Sequence, residues 1–271
     1  MSKIIYRLYQ LFIALPLVLL VTLLTALTII IGCAFGRASV WGYYPPMVWG
    51  RLFCWILLLP VQVEGQELLD RKQSYVFVAN HQGSFDIFLV YGFLGRNFKW
   101  MMKKSLRKLP LIGKACESAG HIFVDKSGPK AIHRTIEQGR RVLQNGVSLV
   151  VFPEGSRSFT GHVGKFRRGA FQLADELRLP VVPVTIDGSF DVLPRQKGIS
   201  FVTWHRLRLV IHAPIMPGSE QQTADKQGSV AEGKDNRQQA EDVQRILEQS
   251  YETIMRDLPV QYQGFVPNPD Q

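Results

Sequence analysis

The chain has 271 residues, 46% of them apolar, enough for one large domain with a buried core plus a small extra element. Its three cysteines (Cys33, Cys54, Cys116) are too few and too scattered for a disulfide framework. None has the close Cys or His partner of a zinc site, so they read as reduced thiols in a cytosol-facing protein. A formal charge of +10 implies an anionic partner, and charge alone leaves nucleic acid, an anionic leaflet and a phosphorylated substrate all open.

Residues 11–35, LFIALPLVLLVTLLTALTIIIGCAF, hold no ionisable side chain except the Cys33 thiol. At about 20 residues per hydrocarbon core this run is long enough to span, and it reads as a retained anchor rather than a core helix or a removed signal. Residues 47–61, MVWGRLFCWILLLPV, are shorter and interrupted by Arg51, which suits an interfacial or re-entrant helix. The GYYPPM link between them combines interfacial aromatics with a break that lets the chain reverse. Lys3, Arg7 and the basic region after Asp70 all favour the cytoplasmic side, which a hairpin satisfies and a single span does not. Residues 1–65 are therefore expected to form a membrane-embedded helical hairpin, followed by a domain over residues 66–271.

From residue 74 onward, short β-branched or aromatic runs alternate with amphipathic stretches. Candidate strands are 74–79, 121–125, 148–152, 181–186 and 208–213; candidate helices are 85–94, 129–145 and 169–177. This alternation predicts an α/β domain, a largely parallel sheet flanked by helices. Residues 87–153 carry twelve Lys and Arg against three Asp and Glu, so most of the surplus charge lies there. Residues 219–237 are polar and aperiodic, as expected of a flexible loop, and residues 238–258 repeat apolar side chains at spacings of three and four, as in a docking amphipathic helix.

Ligands of open α/β sheets gather at the carboxyl ends of strands, and three polar clusters fall there: NHQGSFD (80–86), PEGSRS (153–158) and DGS (187–189). A His followed five positions later by Asp is expected by chance roughly 0.24 times in a chain of this composition, so the spacing alone is weak. One reading makes the first cluster a helix start, with Ser84 capping and Asp86 favouring the dipole. The other adds chemistry, His81 taking a proton from a substrate hydroxyl while Asp86 holds the other ring nitrogen. Glu154 and Arg157 form a surface salt bridge on one reading; on the other, Arg157 offers phosphate a bidentate partner. Nucleophile elbow, P-loop, dinucleotide and zinc-helix patterns are all missing from the sequence.

Four blocks together resemble the glycerolipid acyltransferases, in particular the 1-acyl-sn-glycerol-3-phosphate acyltransferases. They are NHQGSFD, GHIFVDK (120–126), FPEGSRS (152–158) and LPVVPVTI (179–186), with MMKKSLRKLPLIG (101–113) similar to a further family element. The resemblance implies that His81 deprotonates the free hydroxyl of lysophosphatidic acid, that Asp86 orients the imidazole, and that the acyl group comes from acyl-CoA or acyl carrier protein. Glu154, Gly155 and Arg157 would bind the glycerol phosphate, with Lys103 and Lys126 adding positive charge. Lys126 stands where the family has arginine and so lacks the bidentate fork. The implied setting is a bacterial inner membrane with the active site at the cytoplasmic face, without metal, organic cofactor or nucleic acid. The alternatives are another lyso-lipid acceptor, such as a lyso-ornithine lipid, and a non-enzymatic basic membrane protein.

Overall fold

Residues 76–79 read Val-Phe-Val-Ala, and all four are buried: Val76 and Val78 face one apolar cluster, Phe77 and Ala79 the other. A strand covered on both faces has this signature. It lies at the centre of the sheet in a computed structural model that describes residues 2–124, 129–195, 200–218 and 236–266. The strands are β1 (Val61–Glu64), β2 (Val76–Ala79), β3 (Phe98–Lys103), β4 (Ile122–Val124), β5 (Ser148–Val151), β6 (Val181–Asp187) and β7 (Leu207–Ile211). Their order is β1-β7-β6-β2-β5-β3-β4, and every neighbouring pair is parallel except β6 and β7.

The helices are α1 (Lys3–Tyr9), α2 (Leu15–Ala34), α3 (Ala38–Trp41), α4 (Tyr44–Ile56), α5 (Phe85–Phe93), α6 (Ile112–Ser118), α7 (Pro129–Val142), α8 (Gly169–Leu177), α9 (Ser189–Val192) and α10 (Asn236–Asp257). Residues of α4 and α5 cover one sheet face with Phe77; residues of α8 and α10, including Phe171, Val243, Ile246 and Ile254, cover the other with Val76 and Val78. The expected α/β class and docking C-terminal helix are present, whereas the loop expected at 219–237 falls on residues 219–235, outside the described residues.

Two strands go beyond the sequence reading. β1 is four residues of plain alternation just behind an apolar helix, so the interfacial helix expected over 47–61 ends at Ile56 and Val61 already pairs with Leu207. β3 hides in the basic stretch, because Lys99 interrupts its apolar run. Lys99 is nonetheless buried, and its Nζ donates to the Ala119 carbonyl at 2.7 Å.

α1 passes through a π turn (Gln10–Ala14) into α2 as one 32-residue helix, long and apolar enough to cross a membrane. It lies along the domain for much of its length. The Tyr6 and Tyr9 hydroxyls donate to the Leu57 and Ile56 carbonyls at 2.6 Å each. Gln10 brackets Val202, donating to its carbonyl and accepting its N–H at 2.8 Å each. Further on, the Trp49 indole donates to Thr22 Oγ1 at 2.9 Å, and Ala26 and Ile29 pack on Ala115 and Ala119. Phe12, Leu19, Leu20, Leu24 and Ile31 point outward and are exposed.

The chain reverses at Gly36 and Arg37, both with positive φ, and returns through α3 and α4. GYYPPM is expected to act as a break, but Pro45 and Pro46 sit in the first turn of α4. First-turn N–H groups have no helical partner, so proline loses nothing there. α4 meets α5 where Gly50 faces Gly92: a Cβ on Gly50 would lie 2.6 Å from the Phe88 carbonyl oxygen.

Candidate active site

β2 ends at Ala79 between β5 and β6, so residues 80–86, 152–158 and 187–189 emerge side by side at one edge of the sheet. Asn80 fixes the first turn: its side chain donates to the Ile186 carbonyl and accepts the Ile186 N–H, both at 2.8 Å. His81 follows, and its Nδ1 lies 2.7 Å from Asp86 Oδ2. A carboxylate only accepts, so Nδ1 carries a proton, and in the neutral ring Nε2 then holds the lone pair. Nε2 has no hydrogen-bond partner among the described residues. The ring also stacks on Phe152, with centroids 3.9 Å apart and planes 6° apart, so its rotation is blocked from the β5 side.

Asp86 is fully buried, while His81 keeps 15% of its side chain exposed. The Gly83 N–H donates to the same Asp86 Oδ2 at 2.9 Å, closing the turn on the carboxylate. Gly83 is required there, because a Cβ would meet the Ser189 carbonyl oxygen at 2.5 Å. Ser84 stands at the start of α5 but makes no side-chain cap; its hydroxyl pairs with Arg157 Nη1 instead. The helix-start reading thus survives through Asp86, and Ser84 is turned toward the arginine.

Glu154 is 1% exposed and lies beneath this turn. Its Oε1 accepts the His81 N–H at 2.7 Å and its Oε2 the Gly164 N–H at 2.8 Å. Burial pushes its carboxyl up to about 8, against the lowering effect of those two N–H groups. Gly155 adopts φ +79°, and the Arg167 guanidinium carbon would lie 3.1 Å from any Cβ there. Arg157 follows, partly exposed, and Arg195 Nη1 donates to its carbonyl at 3.2 Å while the Arg195 guanidinium sits 3.9 Å over the Phe159 ring. The Ser158 N–H closes the loop by donating to the His81 carbonyl at 2.8 Å.

The structure thus brings together His81, Asp86, Glu154, Gly155 and Arg157. Lys103 ends β3, the neighbour of β5, and is exposed, without contact to His81 among the described residues. Lys126 lies outside the described residues. Asn80, Phe152 as a stacking partner and Arg195 escape sequence reasoning. Asn80 and Phe152 sit inside the motif blocks and gain their roles only through tertiary contacts; Arg195 lies in no motif.

A histidine with one nitrogen held by a buried carboxylate and the other open can accept a proton from a hydroxyl, and the arginine beside it can hold an anionic group. The comparisons fit such a site. Residues 60–187 match the family profile described as Acyltransferase. The 1-acyl-sn-glycerol-3-phosphate acyltransferase of Cocos nucifera is 35% identical over 143 residues, 52% of this chain and 46% of its own length. The Saccharomyces cerevisiae protein of the same name is 32% identical over 180 residues, 65% of this chain and 58% of its own. The chain spans about half the length of the curated relatives it matches. The crystal structure of a 1-acyl-sn-glycerophosphate acyltransferase from Thermotoga maritima superposes with a TM-score of 0.66 at 25% identity, covering 93% of this chain and 95% of that one.

Proposed function

We propose that this chain, whose residues 60–187 match the Acyltransferase profile, is a member of that family and transfers a fatty acyl group from a thioester donor, acyl-CoA or acyl carrier protein, to the free hydroxyl of lysophosphatidic acid, giving phosphatidic acid. The observation that carries this reading is the 2.7 Å contact between His81 and Asp86 beside Arg157. His81 Nε2 takes the hydroxyl proton as the alkoxide oxygen attacks the thioester carbonyl. The C–S bond breaks, and the imidazolium, steadied by Asp86, returns the proton to the leaving thiolate. No enzyme nucleophile is needed.

Arg157 binds the acceptor phosphate, with Lys103 and Lys126 adding positive charge around it. Glu154 and Gly155 serve the acceptor through the loop they shape, Glu154 by holding the His81 and Gly164 backbones and Gly155 by making room for Arg167.

The protein works on a cell membrane, in a bacterium the inner membrane, with its active site at the cytoplasmic face. Residues 1–65 form the anchor and residues 66–271 the acyltransferase domain. Because α1 and α2 are fastened to the domain near both ends and at Thr22, the anchor lies in one leaflet with its outer face in lipid. An acceptor panel offered with both donor types tests the reading: a preference for lysophosphatidate is expected, and equal or faster acylation of another lyso-lipid overturns the narrower claim.

A further inference from the structure

We propose that residues 201–206, between α9 and β7, are a second membrane-contacting element whose aromatic rings sit in the headgroup boundary beside α1. The inference rests on the reading of the N-terminal helix as membrane-seated. Phe201 is 47% exposed and Trp204 57%, unusual exposure for two large rings three residues apart on one loop. Both are tied to the apolar helix region. Gln10, the buried polar residue of the helix, brackets Val202 on its N–H and C=O, and the Arg7 guanidinium lies 5.6 Å over the Phe201 ring. Trp204 donates its indole N–H to the Leu58 carbonyl at 2.8 Å. A tryptophan whose donor is already satisfied by the protein can leave water without losing a hydrogen bond, and such rings favour the boundary between headgroups and acyl chains.

The surroundings point to the same occupant. Leu58 itself is 48% exposed and holds a left-handed backbone at φ +57°, so a large apolar side chain is kept outward at a backbone cost. Ile4, Ile5 and Leu8 continue the exposed apolar surface along α1, and Lys3, Arg7 and Arg206 lie beside it in the chain. Apolar rings flanked by cations match a leaflet carrying anionic headgroups. The segment is also fixed at its middle, Thr203 donating its N–H to the Val192 carbonyl of α9 at 2.9 Å. Lipid contact here therefore seats the sheet edge that leads back, through Leu193, to Arg195 and the Arg157 loop.

Brominated lipids test this directly. The full-length protein is reconstituted into phosphatidylglycerol and phosphatidylethanolamine vesicles with bromines at shallow or deep acyl positions, and tryptophan quenching is compared for wild type, Trp204→Phe and Trp55→Phe. Trp204→Phe is expected to remove a component quenched most by the shallow bromines. A Phe201→Ser, Trp204→Ser double variant is expected to partition about tenfold more weakly while retaining its circular dichroism. Quenching that is lost in Trp55→Phe but unchanged in Trp204→Phe overturns this proposal and leaves the helix in the membrane. Absence of quenching in the wild type overturns both.

Discussion

Asp86 spends one oxygen on two donors, the His81 ring and the Gly83 N–H. Asp86→Asn can present an NH2 to the ring and so force the proton onto Nε2, the nitrogen that must accept. Acyl transfer is expected to fall by about 10²–10⁴-fold in kcat with little change in acceptor KM; a loss under tenfold contradicts the dyad. Two buried groups contribute to the pH dependence of stability in opposite senses. Glu154 sits at about 8 instead of 4.5, so between those values the folded chain holds a proton that the unfolded chain has released, and stability falls as pH rises through that window. His121 is held at about 3 instead of 6.5 by burial and the nearby Lys99 charge, so the unfolded chain gains a proton first and stability falls as pH drops below 6.5. Thermal melts from pH 6.5 to 9 are expected to show a decline that flattens in Glu154→Gln; equal slopes contradict the Glu154 assignment.

At the scale of elements, the site depends on close approaches that only glycine allows. Gly50→Ala pushes α4 away from α5, whose first turn carries Asp86, and is expected to cost about 1–3 kcal/mol in denaturant unfolding; an unchanged midpoint contradicts the Gly50–Gly92 contact. The central elements were legible because their apolar patterning is strong: β2, β5 and β6 are buried, Val-rich runs, and α8 falls on the expected residues 169–177. β1 and β3 were not, since one is too short to outweigh the preceding helix and the other contains a lysine whose burial depends on a carbonyl from the far end of α6. The motif blocks taken together exposed His81, Asp86 and Arg157, but not the stacking of Phe152 or the Asn80 clamp, which arise only when β5 and β6 flank β2.

Over the whole molecule, the proposed function has the protein meet a lipid substrate from one side of a bilayer, seated there by the long apolar helix. A cysteine at Gly36, in a background lacking Cys33, Cys54 and Cys116, is expected to react with a membrane-impermeant thiol reagent only from the cytoplasmic side; labelling from the opposite side contradicts an anchor held in one leaflet. The central claim is that His81 is the base of an acyl transfer to a lyso-lipid. Purified wild type and His81→Ala are compared for acylation of lysophosphatidate, with circular dichroism and vesicle binding as checks on folding and insertion. The wild type is expected to transfer acyl groups and the variant to lose at least about 10²-fold of that rate with folding and binding intact; a folded His81→Ala enzyme within a few fold of wild type contradicts the account.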